Sequence, residues 1–114
     1  MKPSTEAVVR KHLKTFLEKQ GVKAIVADYD EKARLYGEAR TYQGKEEIGE
    51  FFTGFIASLP PGAIERFALR TLRVDGEMAY ITWSSGSEIP LGTDTFVVRD
   101  GLIVQQTFAM YAPQ

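Results

Sequence analysis

The sequence predicts an α+β fold: three N-terminal helices packed in the concave face of a curved, mostly antiparallel sheet. Three observations predict it. Apolar residues recur at helical spacing up to Leu59; from Ile64 onward the period changes to two; and Asp75-Gly76 and Asp100-Gly101 punctuate the second half as hairpin turns. With 114 residues, 44% hydrophobic and 25% charged, a single domain over 1–114 is expected to bury its own core.

The first helix starts at Pro3-Ser4-Thr5-Glu6, which supplies a capping hydroxyl and an acid in the first turn, and Gly21 is expected to close it. Val9, Leu13, Phe16 and Leu17 make one apolar stripe, with Arg10, Lys11, Lys14 and Glu18 on the solvent side. A shorter helix is expected from Val22 to Tyr29, then strands over Ala33 to Gly37 and Arg40 to Gln43. The third helix opens at Gly44-Lys45-Glu46-Glu47, where the acids suit the N-terminal dipole. Ile48, Phe51, Phe52, Phe55 and Ile56 form its apolar face, and Pro60-Pro61-Gly62 stops it.

In the sheet, a one-residue change of register would move a whole apolar set to the wrong face, so the turns decide which residues face inward. Three-residue loops at Val74-Asp75-Gly76 and Arg99-Asp100-Gly101 would pair Thr71 with Ala79, Leu69 with Ile81, and Phe67 with Trp83. They would also pair Val98 with Leu102, Phe96 with Val104, and Asp94 with Gln106. Both apolar sets then share one face, and a long loop joins Ser84 to Leu91. Asp94 is the one carboxylate expected among the inward residues Phe67, Leu69, Ile81, Trp83, Phe96, Phe108 and Met110. An unpaired buried carboxylate raises its pKa and becomes a proton donor or acceptor near neutral pH; one satisfied by Gln106, a hydroxyl or an amide would be structural. The outward face, Tyr80, Thr82, Thr93, Thr95, Val97, Thr107, Ala109 and Tyr111, is semi-apolar and suggests a two-fold homodimer.

A net charge of −1 gives no basic footprint for nucleic acid or anionic membrane. No apolar run reaches the roughly 20 residues of a spanning helix, and no apolar signal region follows Met1, so a cytoplasmic location is expected. Cysteine is absent and His12 is the one histidine, so neither metal nor cofactor is expected. His12 is a second, weaker catalytic candidate, an imidazole pointing toward the mouth of the concave face; its structural alternative is a rim residue.

The segments Ala24-Ile25-Val26-Ala27-Asp28-Tyr29, Gln43 to Phe52, Gly92-Thr93-Asp94-Thr95-Phe96 and Asp100-Gly101-Leu102-Ile103, in this order of elements, resemble the SnoaL-like branch of the nuclear transport factor 2-like superfamily. The resemblance covers essentially the whole chain. It implies the cone fold but not one activity, because that scaffold carries isomerases, polyketide cyclases, epoxide hydrolases, dehydratases and binding modules. Compared with ketosteroid isomerases, Asp94 falls where a protonated acid sits in the oxyanion hole, and Trp83, Gln106, Phe108 and Met110 match pocket positions. The general base would fall near Gly37 and the oxyanion tyrosine near Leu13, and Phe52 replaces the partner of Tyr29, so most of that constellation is missing. SnoaL-type cyclases, by resemblance, use a strand aspartate as acid/base, a role open to Asp94. The expected pocket lining is Leu13, Phe16, Tyr29, Phe52 and Phe55, with Phe67, Ile81, Trp83, Phe96, Gln106, Phe108 and Met110 from the sheet. Two readings follow: a cofactor-free isomerase, cyclase or lyase acting on a small apolar or aromatic molecule, or a non-catalytic ligand-binding or dimerisation module.

Overall fold

A computed structural model describes residues 2–113. Helix α1 (Thr5–Leu17) is capped by Ser4, whose hydroxyl accepts the Ala7 N–H at 3.0 Å. It ends earlier than Gly21: Lys19 takes the left-handed conformation (φ 57°) that closes the helix, and Gly21 (φ 99°) instead precedes α2 (Val22–Val26). The buried face of α1 runs through Val8, Val9, His12 and Thr15, with Leu13 and Phe16 half-buried beside it. Tyr29 does not end α2. It begins β1 (Tyr29–Tyr36), which starts well before Ala33 and pairs with β2 (Thr41–Gln43). Helix α3 (Gly44–Ser58) follows, its start held by Glu47, which accepts the Gln43 N–H at 2.9 Å. Leu59, extended before Pro60, ends it.

The remaining strands, β3 (Phe67–Asp75), β4 (Met78–Ser85), β5 (Ile89–Arg99) and β6 (Leu102–Tyr111), complete a six-stranded sheet in the order β2-β1-β6-β5-β4-β3. All neighbours are antiparallel except β1 and β6, which run parallel. The expected long loop shrinks to 86–88, because β4 and β5 continue through Ser85 and from Ile89.

Both hairpins turn more tightly than three-residue loops. Arg99 pairs with Leu102 and Asp75 with Met78, leaving two-residue turns. Asp100 and Gly101 both have positive φ (54° and 80°), as a type I′ turn requires, and Gly76 (φ 60°) takes the first position of the other turn. The register error that these turns would cause is absorbed by bulges further along the strands. One lies after the Val98–Ile103 pair, where Val97 pairs with Gln105 and Val104 is skipped; the other lies at Arg70, between the Leu69–Trp83 and Thr71–Thr82 pairs. Asp94 therefore sits opposite Phe108 rather than Gln106, and Phe96 opposite Gln106. Val98 meets Ile103, Ala79 meets Val74, and Ile81 meets Leu72. Ile103, not Val104, takes the buried place in β6. Ala79, Ile81, Trp83, Phe96, Val98 and Ile103 still share the concave face with Asp94 and Gln106.

Candidate functional site

Between the concave face, α1 and α3 lies a pocket with about 50 Å³ open to the centres of water-sized molecules. Its floor is buried: His12, Phe52, Trp83, Asp94, Phe96 and Gln106. Its upper wall is half-buried and comes from Leu13 and Phe16 on α1, Phe51 and Phe55 on α3, Leu59 and Ile64 after α3, Phe67 on β3 and Phe108 on β6. These half-buried residues form the more open side of the pocket. Stacked rings frame it, Phe55 lying 6.0 Å from Phe16 and 5.7 Å from Phe51, with Phe108 edge-on to both α3 rings. A cavity that accepts benzene is about 150 Å³. A ligand of that size therefore enters only as the half-buried rings move aside.

Asp94 is the carboxylate of this lining among the described residues, and both its oxygens are engaged. Trp83 Nε1 donates to Oδ1 and Gln106 Nε2 to Oδ2, each at 2.8 Å. Burial raises its pKa to about 6, although the Trp83 and Gln106 donors and the nearby His12 pull the other way. The network continues behind Gln106. Tyr29 donates its hydroxyl to Gln106 Oε1, and His12 Nε2 lies 3.5 Å from that hydroxyl. His12 Nδ1 is 3.3 Å from Asp28 Oδ2, and Lys11 donates to Asp28 Oδ1 at 2.5 Å. Burial would raise the Asp28 pKa, but hydrogen bonds and charge from His12 and Lys11 outweigh it and hold the carboxyl below its ordinary value. Burial, then the Asp94 and Asp28 charges, push the Tyr29 phenol well above its ordinary value, so it remains a neutral donor. Among the described residues, no buried side-chain polar atom lacks a partner.

Strands β1, β4, β5 and β6 and helix α1 bring this chain together. Asp94 and Gln106 lie diagonally across the β5–β6 ladder, a reach that suits a glutamine but not a shorter amide. Tyr29 is placed by the β1–β6 pairing with Ile103, and the Asp28 carbonyl accepts the Ile103 N–H at 2.9 Å. His12 is 3% exposed rather than at a rim, because the buried stripe of α1 passes through it.

Of the residues read as lining, Leu13, Phe16, Phe52, Phe55, Phe67, Trp83, Phe96, Gln106 and Phe108 meet the pocket. Tyr29, Ile81 and Met110 do not. Tyr29 stands behind Gln106, Ile81 is core at 1% exposure, and Met110 is opposite Gly92, past Phe108 along β6. Gly37 is at the turn after β1 and holds no base. The sequence reading missed Phe51, Leu59, Ala63 and Ile64 in the lining and assigned no role to Asp28. Phe51 was visible as one of the α3 apolar positions; nothing in the sequence pairs Asp28 with His12. No group of three His, Asp or Glu residues that could hold a metal occurs among the described residues, and none of their helices is long and apolar enough to cross a membrane.

No curated protein matches the chain by sequence. Solved structures do match its fold. A nuclear transport factor 2-like protein of unknown function from Mesorhizobium loti shares 20% identity at a TM-score of 0.76, over 95% of this chain and 91% of that one. A candidate polyketide cyclase from Sinorhizobium meliloti shares 18% at 0.71, covering 90% and 93%. A candidate ketosteroid isomerase from Kribbella flavida shares 22% at 0.70, covering 96% and 82%. At these identities the likeness is one of fold. The SnoaL-like domain family itself matches residues 9–106, most of the chain, and this chain is accordingly a member of the SnoaL-like family.

Proposed function

We propose that the protein is a cofactor-independent acid/base catalyst, an isomerase, cyclase or lyase, in which Asp94 moves a proton on a small apolar or aromatic substrate. The observation that carries this reading is a buried carboxyl at the floor of an aromatic-walled pocket, with a pKa of about 6. Near neutral pH such a group is accessible both as a base and as an acid, which suits taking a proton from a carbon beside a carbonyl and returning it elsewhere. The aromatic walls supply orientation, and Trp83 and Gln106 hold the carboxyl in place. The candidate cyclase and isomerase among the fold relatives point to the same chemistry. The test is turnover of a panel of small enolisable cyclic and aryl ketones. Asp94→Asn should lower kcat/KM by about 10² to 10⁴ while ligand binding persists, and wild-type kcat/KM should depend on a group titrating near 6. Tight binding without turnover, unchanged in the variant, would establish the alternative. That alternative, a non-catalytic ligand holder, is favoured by one observation: each Asp94 oxygen already accepts a hydrogen bond.

We further infer a homodimer through the outer sheet face. One row across the strands runs Arg73, Tyr80, Thr95, Thr107 and Tyr36, and the next runs Thr71, Thr82, Thr93 and Ala109. The middle of this face carries no charge, its large residues Tyr36, Tyr80 and Tyr111 are exposed, and an arginine stands at its edge, the pattern of an interface core and rim. Sedimentation should give twice the 12.8 kDa chain mass, and Thr95→Arg, at the centre of the face, should return it to one. A wild-type monomer at micromolar concentration would refute the interface.

A further inference from the structure

With Asp94 ionised, the direction of each hydrogen bond behind it follows from the two ends of the chain. Trp83 Nε1 can only donate, so Asp94 Oδ1 accepts. When Asp94 is ionised, Oδ2 accepts as well; Gln106 must then turn Nε2 toward it and Oε1 toward Tyr29. The single hydroxyl hydrogen of Tyr29 goes to Oε1, so the phenol oxygen can receive a hydrogen only from His12 Nε2. At the far end Nδ1 faces the Asp28 carboxylate, which Lys11 holds charged, and it carries a hydrogen too. An ionised Asp94 therefore goes with a doubly protonated His12.

A second arrangement satisfies the same atoms. A neutral Asp94 donates from Oδ2 to Gln106 Oε1 once the carboxamide has turned through half a rotation. Gln106 Nε2 then donates to the Tyr29 oxygen, Tyr29 donates to His12 Nε2, and Nδ1 still donates to Asp28, now from a neutral imidazole. Both arrangements contain the same number of protons, and neither leaves a buried donor or acceptor unpaired. The charged or titratable groups facing His12 are Asp28, with Lys11 behind it, Tyr29 from β1 and Asp94 from β5. Around the ring, Phe52 and Phe96 pack edge-on at 5.8 and 5.7 Å and offer no competing acceptor.

We propose that Asp94 and His12 hold one proton between them, and that inversion of the Gln106 carboxamide together with the Tyr29 hydroxyl passes control of it from one to the other. The pocket thereby presents either a carboxylate or a carboxylic acid at constant net charge. In the exchange the His12 Nε2–H bond breaks and an O–H bond forms on Asp94 Oδ2. Imidazolium and carboxylate become imidazole and acid. The proton crosses through solvent entering the pocket, which both residues line, while Tyr29 and Gln106 keep their own hydrogens and reorient. Tyr29, Gln106 and His12 are positioning residues on this account. The catalytic meaning of the exchange rests on the acid/base reading of Asp94, but the exchange is measured without substrate.

The experiment is nitrogen NMR of His12 and of the Gln106 side-chain amide at pH 7. In Asp94→Asn the new amide nitrogen can only donate toward Gln106, locking the second arrangement. The fraction of His12 carrying a proton on Nε2 should fall about tenfold, and the Gln106 amide signals should move. Removing a charge would also disfavour the imidazolium, so the same comparison is made with Tyr29→Phe, which cuts the chain and keeps both charges. There the fall should shrink to about twofold. Gln106→Leu provides the same cut if Tyr29→Phe does not fold. An equal fall in intact and cut backgrounds, or no fall in Asp94→Asn, overturns the proposal. Failure of every ketone to turn over would sink the acid/base reading and leave these populations unchanged.

Discussion

Gly92→Ala is expected to unfold the protein more readily by about 3 kcal/mol and to expel the indole of Trp83 from its place. A Cβ at position 92 would lie 2.1 Å from Trp83 Cε2 and 2.3 Å from Cζ2, distances that no packing tolerates. Trp83 faces Gly92 directly across the β4–β5 ladder and lies over it, while its other face stacks on Phe67 at 5.3 Å. Trp83 is 6% exposed and borders open space only at the pocket, so the indole can move aside only by giving up its hydrogen bond to Asp94. Overpacking of this kind costs about 1–3 kcal/mol, and losing a hydrogen bond to a buried carboxylate costs about as much again. The chain has one tryptophan, so urea unfolding followed by its fluorescence reads stability and environment together. Gly54→Ala is the control: this helical glycine has open space around its Cβ position and should gain about 0.5–1 kcal/mol. A loss below about 1 kcal/mol in Gly92→Ala, with unchanged fluorescence, would mean that the indole is not held as described.

The same strands show what a sequence can and cannot disclose. The alternation of Gly92, Asp94, Phe96 and Val98 places one carboxyl on an otherwise apolar face, and the structure buries all four. The hairpin geometry was not legible. Asp100-Gly101 is compatible with a three-residue loop containing a bulge, or with a two-residue turn followed by a bulge some residues later, and both solutions bring the apolar sets onto one face. Asp94 consequently faces inward under either, whereas its neighbour across the ladder changes from Gln106 to Phe108. Tyr29 failed for a different reason: Val22 to Tyr29 keeps a helical period, and only the parallel pairing of β1 with β6, a contact remote in sequence, makes Tyr29 the first residue of a strand. The His12–Asp28 contact depends on how α1 docks against that strand, which no local pattern encodes. Strand alternation already turns Asp94 inward and the family resemblance adds the cone, but the polar chain behind Asp94 comes from side-chain geometry alone.

Wild-type stability should fall by about 2 kcal/mol, relative to Asp94→Asn, as the pH rises from about 4 to about 7. The folded-state pKa of Asp94 is about 6 against an ordinary 3.8, so between these values the native state binds more protons than the unfolded chain. Stability therefore declines with rising pH across that window and levels off above it. Asp28 has the opposite sign: its lowered pKa contributes stability at all pH values above its ordinary 3.8 and loses it only in stronger acid, outside the window. Tyr29, raised from 10.0, does not titrate there. Asp94→Asn removes the Asp94 contribution to this slope. The variant also keeps its hydrogen bonds, because its oxygen can accept from Trp83 and its nitrogen can donate to a reversed Gln106. At pH 7 it should accordingly match or exceed the wild type in urea while losing proton-transfer activity, the combination expected where a charge is retained for chemistry at a cost in stability. Parallel pH profiles for the two proteins would mean that Asp94 titrates in the folded state as it does in the unfolded one, and the acid/base reading would lose the property on which it stands.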